Sequence, residues 1–165
     1  MMQRRHSVIA EGEMFSFPVG NGDFGVGLVA RTDGRDISLG YFFRRKFNHI
    51  PTIEEVGVLH SSDVVYISRF GALGFKQGTW NVIGHMPSWD RDSWPMVSFW
   101  SKDPLTGRLH RHDFPDDNPH GLGVRRPVAS RAEIEGLPEG PGLAGHRFVE
   151  LRMGRLLHGA TDASS

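Results

Sequence analysis

Between residues 14 and 43, apolar and polar side chains alternate with a period of two, which is the pattern of half-buried β-strands. The apolar rows are Phe15, Phe17 and Val19; then Phe24, Val26, Leu28 and Ala30; then Ile37, Leu39, Tyr41 and Phe43. Residues 20–23 and 32–35 separate the rows and contain Asn-Gly and Asp-Gly, which favour tight hairpin turns. The pattern therefore predicts a three-stranded antiparallel meander.

Three glycines, Gly25, Gly27 and Gly40, lie on the strand faces opposite these apolar rows. Glycine weakens a strand, so its repeated use here needs a physical reason. The explanation we favour is close backbone approach at the bend of a small, strongly coiled barrel. A ligand pressed against the sheet is the alternative.

The rest of the chain is divided by proline and glycine into short segments. Further strands are predicted at residues 63–70, 80–83, 96–100 and 108–114. Residues 51–55 and 130–133 each contain the Ser/Thr-x-x-Glu capping box that begins a helical turn. Residues 115–142 contain five prolines and many glycines, so we expect a long irregular connection there.

The main helix is predicted at residues 143–157, where Val149, Met153 and Leu156 share one face at positions i, i+4 and i+7. We expect it to end at Gly159 and the tail, residues 160–165, to be frayed. The predicted fold is therefore α+β: a β-rich, strongly bent antiparallel sheet or small barrel with a C-terminal helix. We expect one domain over residues 1–165, with a core at about 11–158.

Composition narrows the functional classes. Nineteen basic and nineteen acidic residues cancel, which argues against nucleic-acid binding. The chain has no cysteine, so disulfides and thiolate metal sites are excluded. No apolar run has the length of a signal-peptide core or a membrane span. We therefore expect a cytoplasmic protein that is not embedded in a membrane.

No catalytic or cofactor motif is evident, and we predict no catalytic residue, cofactor, bound metal or small-molecule substrate. Residues 20–25 fit G-x-G-x-x-G, but a strand pattern follows them where a dinucleotide site needs a helix. His110, His112 and Asp113 could begin a zinc site, with His85 or His120 completing it. The alternative is a solvated strand face.

The aromatic segment at residues 78–99 contains Trp80, Trp89 and Trp94, and prolines follow its turns. Most of this area should be core, but exposed tryptophan beside arginine is the composition of binding hot spots. The acidic pairs nearby suit either solvated turns or a partner surface. The residues that we predict to bind a partner are Trp89, Asp90, Arg91, Asp92, Asp116 and Asp117.

Three segments together resemble a known family: residues 11–29, 78–99 and 145–153. The positions that carry the likeness are Phe15, Pro18, Gly25, Gly27, Trp80, Gly84, Trp94, Pro95, Phe99 and Val149. With these, the chain resembles the immunity protein 26 family of bacterial polymorphic-toxin systems over roughly residues 11–158. It departs from the family pattern at Asn81, where proline is expected, and in the histidine- and proline-rich stretch at 110–127.

The resemblance implies an immunity protein that binds and neutralises a cognate toxin protein by occlusion, without enzymatic activity. Two other classes stay open from the residues themselves. One is a small barrel that binds nucleic acid or peptide, suggested by the meander and by basic clusters at residues 44–46 and 125–126. The other is a metal-dependent hydrolase that uses the His and Asp residues above.

Overall fold

A computed structural model describes residues 9–120 and 123–162, with side chains as far as residue 159. The strands are β1 (Glu13–Gly20), β2 (Asp23–Thr32), β3 (Ile37–Phe43), β4 (Val64–Gly71), β5 (Asn81–His85), β6 (Phe99–Lys102), β7 (Leu109–Asp113), β8 (Val124–Pro127) and β9 (Leu143–Ala144). The helices are α1 (Ile53–Val56), α2 (Leu73–Lys76) and α3 (His146–Asp162). Single 3₁₀ turns occur at Ser61–Asp63, Arg91–Ser93 and Arg131–Ile134. This is the predicted α+β class, β-rich with a C-terminal helix.

The predicted meander is confirmed, and it forms the centre of a sheet in the order β5-β1-β2-β3-β4-β9. Asn21 adopts a positive φ of 56° at the first turn. At the second turn, the Asp33 carboxylate accepts backbone N–H bonds from Arg35, Asp36 and Ile37. Register shifts interrupt the pairing of β1 with β5 and of β3 with both neighbours, and such bulges bend a sheet. The sheet is bent but open, so the barrel alternative is wrong.

The two faces of this sheet carry different cores, because successive strand residues point to opposite sides. One face is mixed aliphatic and aromatic; among its buried residues are Met14, Val26, Leu28, Tyr41, Phe43, Leu59, Met86, Trp94 and Phe99. The other face is dominated by rings and is covered by α3; among its buried residues are Phe15, Phe17, Phe42, Phe70, Trp80, Val149 and Met153. We call these the mixed core and the ring core.

The strand glycines are explained by the ring core. Phe15 pairs across strands with Gly27, and a Cβ at Gly27 would lie 2.4 Å from the tip of the Phe15 ring. Phe17 and Gly25 repeat the arrangement at 2.8 Å. At Gly40, a Cβ would lie 2.5 Å from the ring of Phe70. The protein's own rings fill the space above the glycines, so barrel closure and a ligand on the sheet are both wrong as explanations.

In the C-terminal half of the chain, the strands and helices differ more from the sequence prediction than they do in the N-terminal meander. β6 begins at Phe99 instead of residue 96, and it forms a second antiparallel sheet with β7 and β8. Residues 115–142 are not irregular throughout, since they contain β8 and a capped 3₁₀ turn at Arg131–Ile134. The capping box at Thr52 begins α1 as predicted.

The main helix begins at His146, because Leu143 and Ala144 pair with β4 instead of joining the helix. It continues through Gly159 to Asp162, so the predicted end at Gly159 is wrong. The rest of the tail predicted to fray, residues 163–165, lies outside the described residues, as do residues 1–8. No helix within the described ranges is both long enough and apolar enough to cross a membrane.

The docking of α3 depends on three contacts with the sheet. Val149 and Met153 are fully buried in the ring core, as their spacing predicted. Trp80 donates from its indole N–H to the Glu150 carboxylate at 3.2 Å. The bare Cα of Gly154 faces the Val19 carbonyl oxygen, which would lie 2.7 Å from a Cβ. The helix can therefore approach β1 closely only because residue 154 has no side chain.

Candidate partner-binding site

The segment between β5 and β6 is held against the mixed core by Trp94. Its ring makes edge-to-face contacts with Tyr41 and Phe43. The Tyr41 hydroxyl donates to the Pro95 carbonyl at 2.5 Å, and burial raises the pKa of Tyr41 to about 12. Trp94 is buried, whereas Trp89 is only half-buried against the same core. Trp89 is therefore the tryptophan of this segment that a partner could touch.

A single 3₁₀ turn follows Trp89 and is capped by Asp90. The Asp90 carboxylate accepts from the Asp92 backbone N–H at 3.1 Å and from the Ser93 hydroxyl at 2.7 Å. These bonds fix the direction of the neighbouring side chains and leave Asp92 exposed to solvent. Asp90 therefore shapes this acidic turn as well as adding charge to it.

Arg31 connects the turn to the loop after β7. Its side chain is only 2% exposed and donates to the carbonyl oxygens of Ala30 (2.6 Å), Trp94 (3.0 Å) and Asp116 (2.9 Å). It also pairs with the Asp116 carboxylate at 3.2 Å. A buried guanidinium must satisfy its N–H donors, so it draws two distant loops onto the C-terminal end of β2. Residues 91–94 and 116 thus lie side by side.

Arg91 completes this ion-pair network at the surface. It pairs with Glu11 at 2.9 Å and with the other carboxylate oxygen of Asp116. The hydrogen bond from Arg91, together with that from Arg31, holds the pKa of Asp116 below its usual range. The hydrogen bonds that Arg91 donates to Glu11 and Asp116 raise the pKa of Arg91 itself. Two of the six predicted residues, Arg91 and Asp116, are therefore in contact with each other.

Asp92 and Asp117 are exposed, and neither forms an ion pair with any residue that the structure describes. A groove of about 560 Å³ opens beside Asp90, between the 86–94 segment and residues 53–61. Its lining includes buried Leu59, Met86 and Trp94. The rim carries exposed Glu54, Asp90 and Val58, the last with 76% of its surface exposed.

Glu54 and Val58 lie at the rim of this groove and were not predicted from the sequence. The sequence does contain a local signal for the helix that carries Glu54, because the Thr52 capping box begins α1 and Gly57 ends it. What the sequence could not supply is the position of α1 beside β5, where Ile53 packs over the bare Cα of Gly84. The groove therefore arises from a contact between segments 31 residues apart, Ile53 to Gly84.

The histidines lie elsewhere and do not converge. The His112 Nε2 is 2.8 Å from the Ser101 hydroxyl, and His110 contacts Arg125 at 3.5 Å. Burial, with the nearby charges of Arg125 and His110, lowers the pKa of His112. Over residues 9–120 and 123–159, no group of three or more His, Cys, Asp or Glu side chains could hold a metal ion. The alternative zinc site built from His110, His112 and Asp113 with His85 or His120 is therefore not formed there.

A family model described as immunity protein 26 matches residues 10–109, which is more than half of the chain. The match includes β1 to β6, α1 and the 86–94 segment, and it ends before Asp116 and α3. Searches of the curated proteins and of the solved structures found no match.

Proposed function

The chain belongs to the immunity protein 26 family, and from that membership we propose that it neutralises a cognate bacterial toxin by binding and occluding it. The observation that carries the proposal is the family match over residues 10–109. Immunity by occlusion needs a complementary surface and no chemistry of its own. The expected setting is the cytoplasm of the cell that must be protected.

We place the toxin on the acidic face, which we define as Glu54, Val58, Trp89, Asp90, Asp92 and Asp117. Exposed Glu54 lies at the rim of the apolar groove, and exposed Asp92 and Asp117 follow the paired residues Arg91 and Asp116, so this face carries negative charge. Complementary charge accelerates encounter with a cationic surface and excludes wrong partners. Val58 at the rim of the groove and half-buried Trp89 provide the apolar contacts of this face. The corresponding toxin surface is cationic with an apolar projection.

Arg91 and Asp116 have a different role in this proposal from the one predicted for them. Each is already engaged in the ion-pair network with Glu11 and Arg31. They hold the acidic loops in position, so that the binding surface is formed before the toxin arrives. Preformed surfaces bind more tightly because less conformational entropy is lost on association.

Co-expression with the toxin encoded beside this protein tests both the immunity function and the acidic face as its binding site. The toxin alone should arrest growth, and the wild-type protein should restore it. Replacing Glu54, Asp92 and Asp117 together by Lys should weaken toxin binding more than tenfold, mostly through slower association at low salt. The matched control is Glu135→Lys, which reverses one exposed charge in the turn-rich segment after β8. It should bind the toxin like the wild type.

The outcomes separate the function from the site. Failure of the wild-type protein to rescue growth from the neighbouring toxin would contradict the immunity function. Rescue in which the triple variant binds as tightly as Glu135→Lys would retain the function and remove the acidic face as its site.

A further inference from the structure

The outward side of α3 has an unusual combination of side chains for a solvated surface. We define the α3 outer face as Arg147, Phe148, Leu151, Arg152 and Arg155, whose side chains are all exposed to solvent. Phe148, Leu151, Arg152 and Arg155 follow one another at i, i+3, i+4 and i+7, and therefore form one stripe along the helix. The stripe lies away from Val149 and Met153, which dock the helix on the ring core.

The apolar part of this face is large. Phe148 is 57% exposed and Leu151 is 65% exposed, and Leu143 of the adjacent β9 is 52% exposed. Burying a side chain of this size stabilises a complex by roughly 1.5–3 kcal/mol. Scattered apolar residues on a surface need no explanation, but a contiguous group marks an interaction site.

The charge of the face has one sign. No ion pair joins Arg147, Arg152 or Arg155 to a carboxylate within the residues that the structure describes. The nearest acid on the helix, Glu150, is turned inward to the indole of Trp80. Arg152 lies over the ring of Tyr66 at 5.8 Å, which holds its guanidinium beside the apolar group. Arginine next to an exposed ring is the composition that dominates binding energy at protein interfaces.

The face is also concave on one side. A groove of about 610 Å³ runs between α3 and residues 139–145, and its walls include Tyr66, Leu143, Phe148 and Arg152. Gly142 and Gly145 leave open space at its edge, since a Cβ on either would touch nothing within 4 Å. A groove of this shape can hold a segment of polypeptide.

We propose that the α3 outer face binds an acidic amphipathic segment of a partner protein. Apolar side chains of that segment cover Phe148 and Leu151, and its carboxylates pair with Arg147 and Arg155. The surface lies on the opposite side of the main sheet from the acidic face, because α3 covers the ring core whereas the groove at Trp94 opens from the mixed core. The protein can therefore hold this segment and a toxin at the same time, and the proposal does not depend on the toxin.

Other occupants fit the same features less well. Two copies of the chain joined through this face by a two-fold axis would set arginines against arginines. A bilayer is flat, whereas the groove beside Phe148 is concave and can enclose a polypeptide segment. Exposed Glu139 in the groove wall disfavours carboxylates there, so those of the segment face Arg147 and Arg155 on the helix. Charge complementarity thus favours an acidic segment of protein.

The test uses the full-length protein and a fluorescent synthetic peptide. The peptide is helical, with Leu and Phe at i, i+3, i+4 and i+7 and Glu at its other positions. A second peptide has Lys in place of every Glu, and a third keeps Glu but has Ser at the apolar positions. Vesicles of neutral lipid, with and without anionic lipid, test the membrane. Only the first peptide should bind, and its fluorescence anisotropy should rise on titration.

Two double variants test whether the acidic peptide binds at the α3 outer face. Phe148→Ser with Leu151→Ser should weaken binding of the acidic peptide more than tenfold, since both lost contacts are exposed and the helix remains docked by Val149 and Met153. Arg147→Glu with Arg155→Glu should reverse the preference, so that the Lys peptide binds better than the Glu peptide. The circular dichroism spectrum of each variant checks that it is folded.

Several results would overturn the proposal: no binding of the acidic peptide, equal binding of all three peptides, or binding to anionic vesicles alone. Toxin rescue provides the independent control, because these variants should protect cells like the wild type. Conversely, the triple Lys variant of the acidic face should bind the acidic peptide normally.

Discussion

Arg31 shows how one buried charge can organise a surface. Its side chain connects β2 to a turn 60 residues away and to a loop 85 residues away. Removing it would leave the carbonyl oxygens of Ala30 and Trp94 without these donors and would leave Asp116 held by Arg91 alone of the two arginines. The surface that we propose for toxin binding therefore depends on a residue that is itself buried beneath it.

The Asp116 carboxylate gives a pH-dependent readout of this network. Its pKa is lowered in the folded protein, first by Arg91 and also by Arg31. As the pH falls, the unfolded chain binds the proton first, at its ordinary pKa of about 3.9. The stabilisation from Asp116 is thus complete above that pH and is lost as the pH falls through the lower, native pKa.

Urea unfolding of the wild type and of Asp116→Asn at several pH values measures this pH-dependent contribution of Asp116 to stability. The variant should be less stable by about 1 kcal/mol at neutral pH, a modest value because the Asp116 side chain is 60% exposed and solvent screens it. The difference should shrink below pH ~4, because Asp116 of the wild type then loses the charge that the variant lacks at every pH. Asp117→Asn, the control, should track the wild type throughout. A difference that does not change with pH would contradict the role given to Asp116.

At this scale the sequence predicted residue types better than residue partners. The acidic pairs at 90–92 and 116–117 were recognised as polar loop residues, and they are. Their proximity was not predictable, because it depends on Arg31, which from sequence is a polar residue at the end of a strand. Nothing local in the chain indicates that this arginine is buried.

At the scale of elements, α3 contains two glycines with opposite expected effects. Alanine normally stabilises a helix by up to about 1 kcal/mol relative to glycine. At Gly154, however, the new Cβ would lie 2.7 Å from the Val19 carbonyl oxygen, which is backbone and cannot turn aside. At Gly159 a Cβ would meet nothing within 4 Å.

We therefore expect Gly154→Ala to destabilise the protein by about 2 kcal/mol, as overpacked sites do. Gly159→Ala should stabilise it by up to about 1 kcal/mol. Chemical denaturation measures both, and the second variant is the control for helix propensity. If both substitutions stabilised the protein, α3 would not be docked against β1 as described.

The elements predicted correctly are those whose signals are local. The meander follows from two turn dipeptides and an alternating pattern, and α1 from its capping box. β8 and the start of α3 were missed because non-local pairing decides them. Leu143 and Ala144 have the composition of a helix start but pair with Arg69 and Phe70, more than 70 residues earlier.

At the scale of the whole molecule, the two sheets differ in how well they are protected. β2 and β3 are buried over most of their length, whereas every residue of β8 is exposed. The smaller sheet is anchored to the mixed core by Phe99 of β6, against which Phe114 packs. The prediction of a single domain over residues 1–165 stays a prediction, and this shared core supports it.

Hydrogen exchange should reveal this difference in protection between the two sheets. Backbone amides of β8 that bond to β7 should exchange roughly tenfold or more faster than the central amides of β2, because opening the outer strand exposes little apolar surface. Mass spectrometry of the exchanged protein resolves the two regions, and β3 serves as the internal reference for the core. Equal protection of β8 and β2 would indicate that the two sheets open as one unit.

The rings that lie on glycines have a consequence for how this chain can vary. Phe15 and Gly27 share one volume, as do Phe17 and Gly25, so enlarging one member requires shrinking the other. A substitution at either position alone is penalised, whereas a compensating exchange at both can be tolerated, which is non-additivity between neighbours. The two positions of each pair should therefore covary, so that related chains differ at both positions or at neither.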